Sequence, residues 1–276
     1  MKNISHKSHS FSIILITCAI IPFLLAGCKS ADSGQPSTQD QQETIIDLEK
    51  VEGQDLLDSY EPTISVDMGI IANDIQDEII PAVSPDSNSP YWEILPQHQV
   101  FTFEGYEISE HLLKAQIFLY PVAELDSYND GASQIADDLK KLLEDNVVGE
   151  NLPFLPLFNA AQVMHAKVEF MDFGNGKGVR YLTQFDQAPI PINNFELIYT
   201  YQGLSEDGKY YIAAIFPVTH LELPESNDVY GDQEFIMENF VTEMAESVTK
   251  LESLPDSGFS PDLTMLDALI QSIVIN

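Results

Sequence analysis

Six segments between residues 99 and 218 are rich in β-branched and aromatic side chains, which predicts six β-strands. The predicted strands cover residues 99–106, 115–122, 162–173, 179–185, 195–202 and 210–218. A glycine-rich turn at residues 174–178 and an Asp207-Gly208 turn separate neighbouring strands, and such turns are typical of antiparallel hairpins. The last four strands are therefore predicted to form an antiparallel meander.

Three further stretches carry apolar residues at helical spacing. One apolar face is formed by Ile135, Leu139, Leu142 and Leu143, and a second by Met237, Phe240, Val241, Met244, Val248 and Leu251. The last helix is predicted to have Ser260 as its N-cap and Pro261 at its first position. Strands with amphipathic helices to cover them predict an α+β fold, in which an antiparallel meander sheet is flanked by the helices.

The strand at residues 210–218 is apolar on both faces, so it is expected inside the sheet with a covering layer on each side. The second helix is predicted to cover one face, and the last helix or the segment 152–158 the other. Pro153 and Pro156 prevent that segment from forming a regular helix or a central strand. We interpret it as a loop folded into the core, with an exposed docking patch as the alternative.

The predicted elements from residue 99 onward follow the order two strands, a helix, a four-strand meander and a helix. This order resembles the Mog1/PsbP-like fold, some members of which are bacterial lipoproteins. The resemblance covers roughly residues 99–250 and consists of element order alone. Residues 60–95 have no counterpart in it, and the last helix is additional.

The N-terminal residues have the layout of a secretory signal. Lys2 and Lys7 precede a mostly apolar run at residues 11–25, which is shorter than the roughly 20 residues of a bilayer-spanning helix. The run ends in Leu25-Ala26-Gly27-Cys28, which resembles the lipobox of the bacterial lipoprotein class. The resemblance implies that the Cys28 thiol receives a diacylglyceryl group and that cleavage makes Cys28 the first mature residue. The alternative is an ordinary secretory signal with a chance cysteine.

These features divide the chain into three parts. Residues 1–27 are the predicted lipoprotein signal peptide, residues 28–44 a flexible tether, and residues 45–276 a single α+β globular domain. The tether is rich in Ser, Gln and Asp and has almost no apolar side chain, which is typical of a flexible coil. The protein is thus expected at the cell membrane or outer membrane, held by lipid on the extracytoplasmic face.

The chain has 12 basic and 44 acidic residues, which gives a formal net charge of -32. Because such a chain repels a phosphate backbone and carries few cations, nucleic acid is excluded as a partner. The same charge cannot hold the domain on an anionic membrane, which leaves the lipid on Cys28 as the attachment. The only other cysteine, Cys18, leaves with the signal, so thiol chemistry and cysteine-bound metals are excluded.

The motifs that suggest chemistry each lack part of what that chemistry needs. The glycines at residues 174–178 lie between two strands and open no helix, so they fit a hairpin turn better than a phosphate loop. His98, His111, His165 and His220 show no metal-binding spacing, although a zinc site assembled from distant histidines and carboxylates stays open. We therefore predict no catalytic residue, no metal site and no cofactor.

Arg180 is the only arginine in the chain. Its position shortly after the 174–178 turn predicts a cross-strand ion pair with Asp172. The alternative is an anchor for a ligand carboxylate, because a guanidinium binds a carboxylate through two parallel hydrogen bonds.

The anchor and the incomplete catalytic motifs favour one function. The chain is predicted to be a noncatalytic binding or assembly module of the bacterial cell envelope, with an unknown ligand and an envelope protein as its partner. The alternative is an envelope hydrolase whose Asp, Glu and His residues come together only in the folded domain.

Overall fold

The computed structural model describes residues 62–226 and 233–276, and the side chains of all of these except 233–238. The predicted signal peptide, the tether with Cys28, and residues 45–61 of the predicted domain lie outside the described residues. The elements in chain order are β1 (Ile64–Ser65), β2 (Asp74–Ile80), β3 (His98–Glu104), β4 (Gln116–Pro121), α1 (Val122–Tyr128), α2 (Asp130–Asp145), β5 (Ala161–Phe173), β6 (Gly176–Asp186), β7 (Ile198–Ser205), β8 (Tyr210–Pro217), β9 (Thr219–His220), α3 (Gln233–Ser253), β10 (Phe259–Ser260), α4 (Leu263–Gln271) and β11 (Val274–Ile275).

Seven of these strands form one antiparallel sheet in the order β2-β3-β4-β8-β7-β6-β5. The predicted meander is confirmed, since β5, β6, β7 and β8 pair in sequence order. The hairpin of β3 and β4 joins the meander through β8, where Phe118 lies opposite Ala213. Because helices pack on both faces of this sheet, the predicted α+β class is confirmed as well.

Strand β8 lies between β4 and β7, as the apolar character of its two faces predicts. On one face, Tyr211 and Ile215 pack with α2 and the segment 152–158, and we call this the α2 face. On the other, Ile212 and Phe216 pack with α3 and α4, and we call this the α3 face. The prediction that α3 covers one face is correct, but Val241, which is predicted on its apolar side, is exposed. The segment 152–158 is the correct one of the two predicted covers for the other face, because α4 shares the face of α3.

Two strands begin three residues away from the positions that the sequence predicts. The turn between β5 and β6 covers only residues 174–175, so β6 begins at Gly176 instead of residue 179. Strand β7 begins at Ile198 instead of residue 195, because the Asn193 side chain accepts a hydrogen bond from the Phe195 N–H (3.0 Å) and stabilises a turn. Phe195 therefore lies on a loop and not within the sheet.

Short strands complete the domain beside the large sheet. β1 pairs with β11, and the two ends of the described chain meet there. β10 pairs with β9, which places Ser260 opposite Thr219. Since Ser260 belongs to a strand, its prediction as the N-cap of the last helix is wrong, and Pro261 precedes that helix. The cap of α4 is Asp262, whose side chain accepts a hydrogen bond from the Thr264 N–H at 2.9 Å.

Candidate functional site

The segment 152–158 crosses the α2 face without forming a helix or a strand, and it is folded into the core. A buried irregular segment has backbone groups that no neighbouring strand pairs, and each unpaired group would cost about 1–3 kcal/mol. Side chains of the sheet provide the pairing instead. The Leu152 N–H donates to Gln162 Oε1 (2.9 Å), the Tyr181 hydroxyl to the Pro153 carbonyl (2.8 Å), the Leu155 N–H to Gln202 Oε1 (3.0 Å), and Gln202 Nε2 to the Leu155 carbonyl (3.2 Å).

An apolar groove of about 680 Å³ lies between this segment and helix α2. Three phenylalanine rings line it and form what we call the aromatic cluster. The ring centroids of Phe154 and Phe158 are 5.3 Å apart, those of Phe154 and Phe185 4.4 Å, and those of Phe158 and Phe185 5.2 Å. Such distances are typical of aromatic rings in contact. On the side of α2, the groove is lined by the charged residues Asp138, Lys141 and Asp145.

The volume and the lining of the groove determine what it can hold. Ligand sites commonly have volumes of about 300–1,000 Å³ and apolar walls with a few polar groups. The groove has both properties, and it can take up apolar side chains while its α2 side contacts polar groups of the same ligand. Sequence reasoning identified the apolar segment but missed Phe185. That residue belongs to a predicted strand, and its alternation does not distinguish a groove residue from a core residue.

Arg180 is only 2% exposed, and each of its three guanidinium nitrogens donates to a protein acceptor. Nε donates to Asp267 (3.1 Å), Nη1 to the Lys167 carbonyl (2.7 Å), and Nη2 to Asp256 (2.9 Å), Glu169 (3.1 Å) and Asp267 (3.2 Å). The predicted ion pair with Asp172 is wrong. Because β6 begins earlier than predicted, the register sets Glu169 opposite Arg180 and Lys177 opposite Asp172.

We call these residues the Arg180 network: Arg180, Lys167, Asp256, Asp267 and Glu169. Lys167 Nζ lies 2.8 Å from the Asp256 carboxylate, and the Tyr199 hydroxyl donates to Asp267 at 2.9 Å. Burial alone would lower the pKa of Arg180, but the neighbouring carboxylates raise it above its usual value. Burial raises the pKa of Asp267, and Arg180 offsets part of that rise. With every nitrogen engaged, Arg180 joins α4 to β5 and β6, which favours its structural interpretation over a ligand anchor.

His98, His111 and His220 each contact backbone groups. His98 Nδ1 lies 2.9 Å from the Pro96 carbonyl, and His111 Nε2 lies 3.0 Å from the Leu197 carbonyl. Burial lowers the pKa of both histidines. Within residues 62–226 and 233–276, no group of three or more His, Cys, Asp and Glu side chains is placed to hold a metal ion.

Two carboxyl groups come together where β6 ends, and no sequence motif points to them. Asp186 is buried and accepts a hydrogen bond from Gln184 Nε2 at 2.7 Å, while Glu196 accepts one from Asn193 Nδ2 at 2.7 Å. Burial raises the pKa of Asp186 to about 6, and the charge of Glu196 adds to the rise. Asp186 can therefore hold a proton close to neutral pH, but neither carboxyl group lines the groove.

Cys28, the predicted lipidation site, lies outside the described residues. In the part of the chain that the structure describes, no helix combines the length and the apolar composition required to cross a bilayer.

Comparison of the chain with protein-family models, with curated proteins and with solved structures finds no match in any of the three. The resemblances to the bacterial lipoprotein class and to the Mog1/PsbP-like fold therefore stay predictions.

Proposed function

We propose that this protein is a lipid-anchored, noncatalytic binding or assembly module on the extracytoplasmic face of the bacterial cell envelope. The lipobox supports attachment through Cys28 at the cell membrane or outer membrane. The groove beside the segment 152–158 supports a role in binding, and it is the observation that carries the proposal. Its ligand is an apolar segment of a partner envelope protein.

The composition of the groove fits a peptide segment. The aromatic cluster offers apolar contact area, and Asp138, Lys141 and Asp145 offer polar partners for a backbone along one side. An apolar centre with a polar margin is the usual anatomy of a protein interface. Lys141 makes no ion pair with the described residues, so its ammonium group is available to a partner.

The groove exists before a partner arrives, because side chains of β5, β6 and β7 fix the backbone of the segment 152–158. A preformed site loses less conformational entropy on binding than a loop that must first become ordered. Attachment to the membrane would hold the module and an envelope partner on one surface, which raises the effective concentration of each for the other.

A second candidate is an envelope hydrolase, and the buried Asp186 beside Glu196 is the observation that favours it. Glycoside hydrolysis uses two carboxyl groups, one of which has to be protonated. It comes second because neither residue lines the groove. Incubation with purified bacterial cell walls and measurement of released reducing sugars test it. An activity that a folded Asp186→Asn variant lacks would replace the noncatalytic proposal.

Metabolic labelling with an alkyne analogue of palmitate tests the anchor. The wild-type protein should carry the label and sediment with membranes. Cys28→Ala should lose the label and either remain uncleaved or leave the membrane fraction. Cys18→Ala is the matched control and should behave like the wild type. A mature N-terminus that is unlabelled, or that begins at another residue, would refute the anchoring.

The photo-crosslinking residue p-benzoylphenylalanine tests the groove in intact membranes. At Leu157, which lines the groove, it should give a crosslinked product of defined mass, whereas at the exposed Ile79 on β2 it should not. Lys141→Glu should weaken the Leu157 product, and Lys177→Glu, which lies outside the groove lining, should not. Equal products from both positions, or none from Leu157, would refute the groove as the binding site.

A further inference from the structure

Three loops meet at one end of the large sheet, where β3, β6 and β8 end. They comprise residues 105–115, 187–197 and 218–226, the last of which includes the short strand β9, and we call their surface the loop face. Hydrogen bonds join them: the Leu112 N–H donates to the Phe195 carbonyl at 3.1 Å, and the Asn194 side chain accepts from the His220 N–H at 2.9 Å. The loop face is therefore one continuous surface built from segments distant in sequence.

The loop face exposes three large apolar side chains. Leu221 is 99% exposed, Leu112 57% and Phe195 41%. Single exposed apolar residues are common on protein surfaces. Three of them on loops that are hydrogen-bonded to each other instead indicate an interaction surface.

A fixed backbone presents these side chains. His111 Nε2 lies 3.0 Å from the Leu197 carbonyl, which ties the first loop to the second. The buried Asn194 side chain bonds to both the N–H and the carbonyl of His220 (2.9 and 3.2 Å), directly before Leu221. Because the surface is formed in advance, little conformational entropy is lost when a partner binds to it.

The segments that carry the apolar residues also carry carboxylates. Glu107, Glu110, Glu222 and Glu225 are exposed on the same loops. Lys250 pairs with Glu222 at 3.1 Å, and Lys114 is the one basic residue within the three loops. The loop face is therefore net negative, like the chain as a whole. Like-charge repulsion argues against anionic lipid headgroups and against a second copy of this chain as the occupant.

We propose that the loop face binds a basic amphipathic segment of a partner protein. Its apolar side chains would contact Leu112, Phe195 and Leu221, and its lysines or arginines would pair with the glutamates of the same loops. Apolar anchors at the centre supply most of the affinity, while the charges select the partner and speed its association. None of these residues lines the groove, so this binding is independent of the function proposed above.

A fluorescein-labelled peptide with one leucine face and one lysine face tests the proposal by fluorescence anisotropy. The full chain is held in phosphatidylcholine nanodiscs, with empty nanodiscs as the background. Leu221→Ser and Phe195→Ser should each raise the Kd about tenfold. Ile79→Ser, at an exposed position on β2, should leave it unchanged. A peptide with glutamates in place of the lysines should bind at least about tenfold more weakly.

A charge substitution tests whether the peptide is attracted by the glutamates of the loop face or by the net charge of the whole chain. Glu225→Gln should weaken binding more at low than at high salt, whereas Glu78→Gln on β2 should have no effect. Equal losses for Leu221→Ser and Ile79→Ser, or no loss for either loop-face variant, would overturn the proposal. The proposal would also be overturned if the chain bound bare phosphatidylcholine vesicles and Leu221→Ser abolished that binding, because the surface would then bind lipid. Circular dichroism verifies that each variant is folded.

Discussion

Replacement of Arg180 with methionine should lower the free energy of unfolding by about 3–5 kcal/mol. Methionine keeps much of the apolar volume of the side chain, but it leaves the Asp267 carboxylate without its cation while only 16% of that side chain is exposed. Asp256 keeps Lys167 as its partner at 2.8 Å. Glu169 is 60% exposed and becomes hydrated when its partner is removed. Most of the loss therefore comes from one unpaired buried charge.

Urea unfolding followed by circular dichroism measures this loss. With a slope of about 2–3 kcal/mol/M for a domain of this size, a loss of about 4 kcal/mol lowers the midpoint by roughly 1.3–2 M. Lys209→Ala is the matched control, since its ion pair with Asp207 is exposed to water and its loss should move the midpoint little. The double variant Arg180→Met/Asp267→Asn should recover most of the stability that Arg180→Met loses. Asparagine removes the charge at position 267, and its side-chain oxygen still accepts the hydrogen bond from the Tyr199 hydroxyl.

Two results would contradict this reasoning. A midpoint for Arg180→Met equal to that of Lys209→Ala would show that water reaches the Arg180 network and replaces the lost cation. A double variant no more stable than Arg180→Met would show that the unpaired charge of Asp267 is not the cause of the loss.

Three further substitutions test other parts of the domain. The pKa of Asp186 is raised to about 6 from its usual 3.8, so the folded state holds a proton that the unfolded state releases, and this group should lower stability as the pH rises from about 4 to 6. Asp186→Asn should remove the part of this loss of stability that comes from Asp186. Urea midpoints that differ between pH 4.5 and pH 7 by the same amount in the variant and the wild type would contradict this. Gln202→Leu should lower the free energy of unfolding by about 2–4 kcal/mol, because the N–H and carbonyl of Leu155 and the Tyr211 hydroxyl lose their hydrogen-bond partner. The segment 152–158 should then be cleaved more rapidly by a protease, and an unchanged cleavage rate would contradict this. Ile215→Asp should prevent folding by burying a charge in the central strand, whereas Ile79→Asp at the sheet edge should fold, and a folded Ile215→Asp would disprove the position of β8.

The meander and the helices α2, α3 and α4 could be predicted from the sequence, because their side chains repeat with the period of the element that they form. Helix α1 was not predicted, since Leu125 is its only buried residue and a single residue gives no periodic pattern. The edge strand β2 could not, since five of its seven residues are exposed and its sequence shows no buried face. The partners of Arg180 could not be predicted either, because they depend on how many residues the turn between β5 and β6 contains. With only residues 174–175 in that turn, the register moves Asp172 away and brings Glu169 opposite Arg180.

The candidate sites were harder to predict than the fold, because they depend on contacts between distant segments. Phe185 and the segment 152–158 are separated by the whole of β5, and no local pattern shows that they meet. Phe195 was predicted inside a strand, and only the turn at Asn193 makes it a loop residue. Asp186 and Glu196 are ordinary acidic residues in the sequence, and only burial together with the nearby Glu196 makes the pKa of Asp186 unusual.

The pairing of β4 with β8, and of β1 with β11, would delay the folding of this domain during the export that we propose. Strand β4 ends at Pro121 and its partner β8 begins at Tyr210, while β1 and its partner β11 are about 210 residues apart in the sequence. A chain that crosses a membrane from its N-terminus delivers β2, β3 and β4 long before β8. Those three strands lack the partner that closes the core, and pairings so distant in sequence form slowly. Under the export that we propose, the sheet would stay incomplete until β8 has crossed the membrane as well.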